Sequence, residues 1–175
     1  MGTLESAHQI ATGTLYNFSE QQVIDCSLAN LGCNGGWQNK AYNYYKTSFA
    51  MTTAEYPYTG RDGSCKYNSA DTTGKGATGY VNVAVNDPDA MKAALADRPL
   101  AVSIEADQTS FQSYESGIFN DELCGTTLNH AVIIVGWGVS DTVEYWTVRN
   151  SWGAAWGEKG YIRMAITSGS GICGV

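Results

Sequence analysis

Residues 127–138 read TLNHAVIIVGWG, and the run EYWTVRNSWG occupies residues 144–153. His130 stands at the mouth of an apolar run, and imidazole is the side chain that exchanges a proton near neutral pH. A lone histidine is more often structural than catalytic, but this one has company. Asn150 follows twenty residues later, after a single hairpin's length of chain, so antiparallel pairing can bring the two together. A carboxamide oxygen can accept from one ring N–H, fix the tautomer, and leave the other ring nitrogen to serve a nucleophile. Trp152 could cover that hydrogen bond from water. Trp152 and Trp156 also fit the role of ordinary core aromatics, and the two readings are compatible. A third group lies in DCSLANLGCNGGW, residues 25–37, where Gly35 and Gly36 make either a tight turn or a bare backbone edge.

Helical signals crowd the first half of the chain. Leu4, Ala7, His8 and Ala11 share one face, and Gly13 suits the position after a helix end. No capping residue precedes that pattern, so the chain opens already inside it. Ser19 and Gln22 form a capping-box pattern behind Phe18. GWQNKAYNYYKTS reads as a third helix with Trp37, Ala41, Tyr44 and Tyr45 on one side. Asp87 and Pro88 start a fourth. Strand signals dominate the rest: YVNVAV, PLAVSIEA, HAVIIVGW, EYWTVRN and GYIRMAI. Helices first and strands second indicate an α+β fold of two lobes, with the boundary in the Thr- and Gly-rich stretch 71–79.

The chain has 175 residues and a formal charge of −7. An acidic chain disfavours nucleic acid and anionic membrane as partners. No apolar stretch is long enough to span a bilayer, and MGTLESAHQI is not a secretory signal. The two histidines, His8 and His130, form no HExxH pair and no CxxC is present, so neither a metal nor a cofactor is expected. The five cysteines are an odd number, which leaves one thiol without a partner. NFS at Asn17 is a glycosylation sequon, although a capping Ser19 explains it equally well.

Four segments, LNHAV, RNSWG..WGEKGYIRM, SEQQVIDC and GCNGG, resemble the papain-like cysteine peptidases of the cathepsin L-like kind, in one register from Leu4 to Val175. The resemblance implies a helical left lobe over residues 1–78, a β-rich right lobe over 79–175, and a cleft between them. It implies His130 as general base, Asn150 as the residue that orients it, and Trp152 as the shield. It assigns Gly35 and Gly36 to the edge that pairs with an extended substrate. Asn129 would offer its carbonyl to the substrate, and Trp37, Gln38, Ser103, Leu128 and Ala131 would line the main specificity pocket. The His-containing insertion of the exopeptidase relatives is absent, which favours an endopeptidase. The implied partners are extended peptide or protein substrates and propeptide or cystatin-like inhibitors. The expected state is a monomer, in a lysosomal, vacuolar or extracellular compartment.

By the same resemblance Cys26 pairs with Cys65 and Cys124 with Cys173. Cys33 remains unpaired, because its family partner lies three residues before the nucleophile. The family's nucleophilic cysteine falls about seven residues ahead of Gly2, so neither it nor the upstream oxyanion glutamine is in these 175 residues. The expectation is an N-terminally truncated endopeptidase that is inactive alone, with Met1 an ordinary helix residue and the C-terminus slightly short as well. The alternative is a catalytically inactive homologue that binds peptides or proteins. Cys26 and Cys33 are structural in the family and poor substitutes for the nucleophile.

Overall fold

The structure is a computed structural model that describes residues 1–72 and 76–175; part of the expected lobe boundary at 71–79 therefore lies outside the described residues. The chain divides into two compact units, Met1–Asn82 and Val83–Val175.

The first unit is helical. Helix α1 spans Gly2–Thr12 and ends at Gly13 (φ 75°), whose N–H bonds the Gln9 carbonyl at 2.8 Å. Only glycine takes that left-handed stop without steric cost. Leu4 packs on a core of Phe18, Tyr45 and Ala50, while Ile10 is exposed. Helix α2, Glu20–Cys26, begins at Ser19, whose Oγ accepts from Gln22 N at 3.0 Å and donates to the Tyr56 carbonyl at 2.6 Å. The capping box is only half formed. The Gln22 side chain does not return to the Ser19 N–H, which bonds the Met51 carbonyl instead. Gln22 is fully buried, giving its amide to Phe49 O (2.8 Å) and accepting from Met51 N (2.8 Å). Helix α3 spans Gln38–Tyr45 and places Tyr45 in the core. Trp37 precedes it in extended conformation, half-exposed, rather than joining its apolar face.

The second unit is a sheet with helices at its margins. Helix α4, Pro88–Leu95, is capped by Asp87, whose Oδ1 accepts from Ala90 N at 2.9 Å. Strand β1 (Leu100–Ile104), the short helix α5 (Thr109–Gln112), β2 (Ile118–Phe119), β3 (His130–Ser140), β4 (Val143–Arg149) and β5 (Tyr161–Ala165) follow. The sheet order is β1-β3-β4-β5-β2, antiparallel except for the β2–β5 pair. Ile104, Ile134, Val148, Ile162 and Met164 are wholly buried, and Met91 and Leu95 of α4 pack on the same core.

The alternating run YVNVAV at 80–85 forms no strand. Val81 and Val85 are 93 % and 87 % exposed. With no neighbouring strand to satisfy its backbone, β propensity alone does not make a strand. Two short elements, α5 and β2, were not legible in advance.

Candidate active site

His130 opens β3 opposite Ile104 of β1, and Asn150 follows the last residue of β4, where Arg149 pairs with Ile133. The hairpin joining the two strands is what brings residues twenty apart in sequence into contact. Asn150 is 8 % exposed, and its N–H is held by the Gly160 carbonyl at 3.0 Å. Its side-chain Oδ1 lies 2.8 Å from His130 Nε2 and also accepts from Ser151 N at 2.8 Å. A carboxamide oxygen can only accept, so Nε2 carries a proton and Nδ1 is the ring nitrogen left for another partner. Nδ1 makes no hydrogen bond to any described residue.

The Trp152 ring lies 5.1 Å from the imidazole, tilted by 33°. It is 40 % exposed. The same indole packs edge-on against Phe111 (5.6 Å) and Trp156 (5.3 Å). Trp156 donates Nε1–H to the Gln112 carbonyl at 3.0 Å. The Trp152 indole is thus part of an aromatic cluster. The Asn150 Nδ2 group is buried without a hydrogen-bond partner among the described residues.

Around this pair the register sets Ser103 opposite Ala131. Leu128 is exposed, with one methyl close to the backbone of Gly174. Asn129 is pinned twice: its N–H donates to the Ile104 carbonyl at 3.0 Å, and its Oδ1 accepts from Ala106 N at 2.9 Å. Glu105, between those partners, is buried at 7 % exposure and escaped the sequence reading entirely.

Gly35, Gly36, Trp37 and Gln38 lie in the first unit. Gly35 takes φ 102°, and its carbonyl accepts from Leu31 N at 2.9 Å. A Cβ on Gly36 would meet Asn30 Oδ1 at 2.2 Å, so a side chain is excluded there by the protein itself. Asn30 Oδ1 also accepts from Trp37 N at 2.8 Å, and Asp62 Oδ1 accepts from Cys33 N at 2.7 Å. Asn30 and Asp62 thus fasten the GCNGG loop. The only advance signal for them was their type, since Asn and Asp side chains habitually bond turn backbone.

Cys26 is bonded to Cys65 and Cys124 to Cys173, with S–S distances of 2.09 Å. Cys33 is free and exposed. Desolvation, a hydrogen bond to Asp62, and the charges of Asp62 and Asp25 push its thiol above the usual range. A thiol in that setting stays protonated at neutral pH, the opposite of an activated nucleophile. His8 belongs to a different environment: its Nδ1 lies 2.8 Å from the Thr14 carbonyl and its ring packs edge-on against Tyr16 and Phe18. Among the described residues no His, Cys, Asp or Glu cluster is placed to hold a metal ion. Among the described residues no helix is long and apolar enough to cross a membrane.

On this α+β frame an imidazole is held by a buried carboxamide with an indole beside it. The family model for papain family cysteine proteases matches residues 1–175, and the chain belongs to that family. It is 45 % identical to fruit bromelain from Ananas comosus over 179 residues, covering all of this chain and 50 % of that protein. It is 43 % identical to vignain from Ricinus communis, covering 98 % of this chain and 49 % of the relative. A digestive cysteine proteinase from Homarus americanus is 42 % identical, with 99 % and 55 % covered. The chain therefore spans about half the length of these curated relatives.

Among solved structures, the bromelain protease from Ananas comosus in complex with the E64 inhibitor superimposes with a TM-score of 0.92 at 44 % identity, covering 99 % of this chain and 80 % of that one. The proform of the Amb a 11 cysteine protease, a ragweed pollen allergen, gives 0.91 at 39 % identity, covering 99 % and 54 %. The fold is the α+β papain fold.

Proposed function

We propose that this chain is the base-carrying part of a papain-type cysteine endopeptidase. The observation that carries the reading is the 2.8 Å contact between His130 Nε2 and Asn150 Oδ1, which leaves Nδ1 free to face a thiol. In this reading a cysteine thiolate, paired with the His130 imidazolium, attacks the scissile carbonyl carbon. The carbonyl π electrons move to oxygen and form a tetrahedral oxyanion. As that collapses, the C–N bond breaks and His130 gives its proton to the leaving amine. Neutral His130 then takes a proton from water, hydroxide attacks the thioester carbonyl, and the acid product leaves as the thiolate–imidazolium pair is restored.

The thiol comes from chain outside residues 1–175. Four of the five cysteines are consumed in disulfides, and Cys33 is held protonated beside two carboxylates. Gly35 and Gly36 take the backbone of an extended peptide, and Asn129 offers it a carbonyl. Ser103, Leu128 and Ala131, with Trp37 and Gln38, contact the side chain that sets specificity. Substrates are extended peptides or unfolded proteins, and inhibitors that compete with them include a propeptide segment and cystatin-like proteins. The protein works as a monomer. Its two disulfides require an oxidising lysosomal, vacuolar or extracellular setting.

The cysteine inventory equally supports a second reading, an inactive homologue that retains peptide binding. The test is a chimera in which the matching upstream segment of fruit bromelain precedes residue 1. Thiol-dependent hydrolysis of an unstructured peptide by the chimera, lost in His130→Ala, is expected, while the 175-residue chain alone is inert. Turnover by the 175-residue chain that survives His130→Ala would overturn the assignment. A chimera that binds peptide without cleaving it would establish the binding module.

A further inference from the structure

We infer that Glu105 is a positioning residue for the segment that delivers Leu128, Asn129 and His130; this rests on the reading of those residues as substrate-facing and catalytic. Glu105 follows β1 directly and makes no ion pair among the described residues, although it is almost wholly buried. A buried carboxylate without a cation is costly unless its oxygens are hydrogen-bonded. Here both are used by neutral donors. Oε1 accepts from Gln108 Nε2 at 2.9 Å, and Oε2 accepts from Thr127 N at 2.5 Å.

The carboxylate also shapes the chain before Thr127. A Cβ on Gly125 would lie 2.6 Å from Glu105 Oε2, so the backbone there runs directly against the acid. The neighbouring residues of the same segment finish the clamp. Ile104 O accepts from Asn129 N, and Ala106 N donates to Asn129 Oδ1. Three consecutive residues, 104–106, therefore hold residues 127 and 129 by three hydrogen bonds, and His130 enters the sheet opposite Ile104. The other end of this clamp is hydrogen-bonded to a disulfide residue: Glu105 N donates to the Cys173 carbonyl at 2.8 Å, and Cys173 is bridged to Cys124.

The choice of glutamate follows from the donors. Each oxygen faces an N–H, so the group must be an acceptor at both ends. A glutamine in its place sets an NH2 against one of the two N–H donors and loses that bond. An aspartate keeps the charge but is one methylene short of reaching both. Those two variants separate geometry from charge.

The test uses the full 175-residue chain, isotopically labelled, as wild type, Glu105→Gln and Glu105→Asp. Two signals are read: amide hydrogen exchange at Thr127, with Val148 as an internal reference in β4, and the Nε2-bound proton resonance of His130. In both variants Thr127 is expected to exchange at least about tenfold faster relative to Val148, since one hydrogen bond of ordinary strength is lost locally. The His130 proton resonance is expected to broaden or vanish as the segment loosens. If Glu105→Asp behaves as wild type in both signals, the effect is one of charge and the positioning role is overturned. It is equally overturned if Thr127 and Val148 accelerate together, which is general destabilisation. Should Glu105→Gln fail to fold, Gln108→Leu, which removes one donor and leaves the acid, is expected to shift both signals in the same direction by less; no shift overturns the role. These signals do not depend on peptide cleavage, so failure of the protease reading would show separately, in the chimera.

Discussion

The most consequential residue pair, His130 and Asn150, was readable from sequence because both side chains sit at the ends of strands whose apolar patterning is plain. The residues that fasten loops elsewhere in the chain were not. Glu105, Asn30 and Asp62 bond backbone N–H groups of other segments, and which N–H a carboxylate reaches is decided by tertiary folding rather than by local pattern. The pair makes a direct prediction. In Asn150→Ala the His130 Nε2–H loses its acceptor, and the slowly exchanging ring proton of the wild type is expected to disappear from the NMR spectrum while the His8 signals stay in place. A retained His130 signal would show that Asn150 does not hold the ring. Cys33 makes another. Alkylation of the unreduced protein is expected to label Cys33 alone, slowly at neutral pH because Asp62 and Asp25 oppose thiolate formation. Asp62→Asn is expected to speed that labelling, by peptide mapping over time. Unchanged kinetics would show that the carboxylate does not govern the thiol.

At the scale of elements, the helix stops and starts were the most legible features, because caps are local chemistry. Gly13 and Asp87 act where their residue types indicated. Ser19 does so too, but the Gln22 side chain is diverted into the core by tertiary partners that the capping pattern cannot reveal. The segment 80–85 shows the converse: a strand pattern that finds no partner stays irregular. Ser19 is wholly buried and serves two partners at once, accepting from the helix N–H of Gln22 and donating to Tyr56 O. Ser19→Ala removes the cap and strands a buried carbonyl. The expected cost is about 2–3 kcal/mol, the sum of an ordinary cap and one unsatisfied acceptor. Urea unfolding of the purified variant measures it. A loss below about 0.5 kcal/mol, the range of ordinary surface substitutions, would mean that neither bond matters.

Across the whole chain, each unit carries its own disulfide: Cys26–Cys65 closes the first and Cys124–Cys173 the second. Closing loops of 39 and 49 residues is worth about 4 kcal/mol each in the chain-entropy model. The second unit also has an ionic tie, in which Glu158 receives Arg163 Nη2 at 2.6 Å and Nε at 2.9 Å, together with Gly117 N at 3.0 Å. Sequence offered no sign of it, because Gly117 lies forty-one residues from Glu158. The Arg163 hydrogen bonds, aided by the Gly117 N–H and the guanidinium charge, hold the Glu158 carboxyl below the usual glutamate range. Its folded form therefore binds a proton less readily than its unfolded form. The stability it contributes is complete above the unfolded value of about 4.3 and is lost as pH falls through the lower, folded value. Glu158→Gln should cost about 1 kcal/mol at pH 7, the strength of hydrogen bonds to a charged group discounted for the partial exposure of the pair. The gap in melting temperature between wild type and variant should then narrow steadily as the pH is lowered from about 5 towards 2. Thermal melts of both proteins across that range measure it, and a gap that stays constant with pH would show that the Glu158 carboxylate is not what the second unit loses in acid.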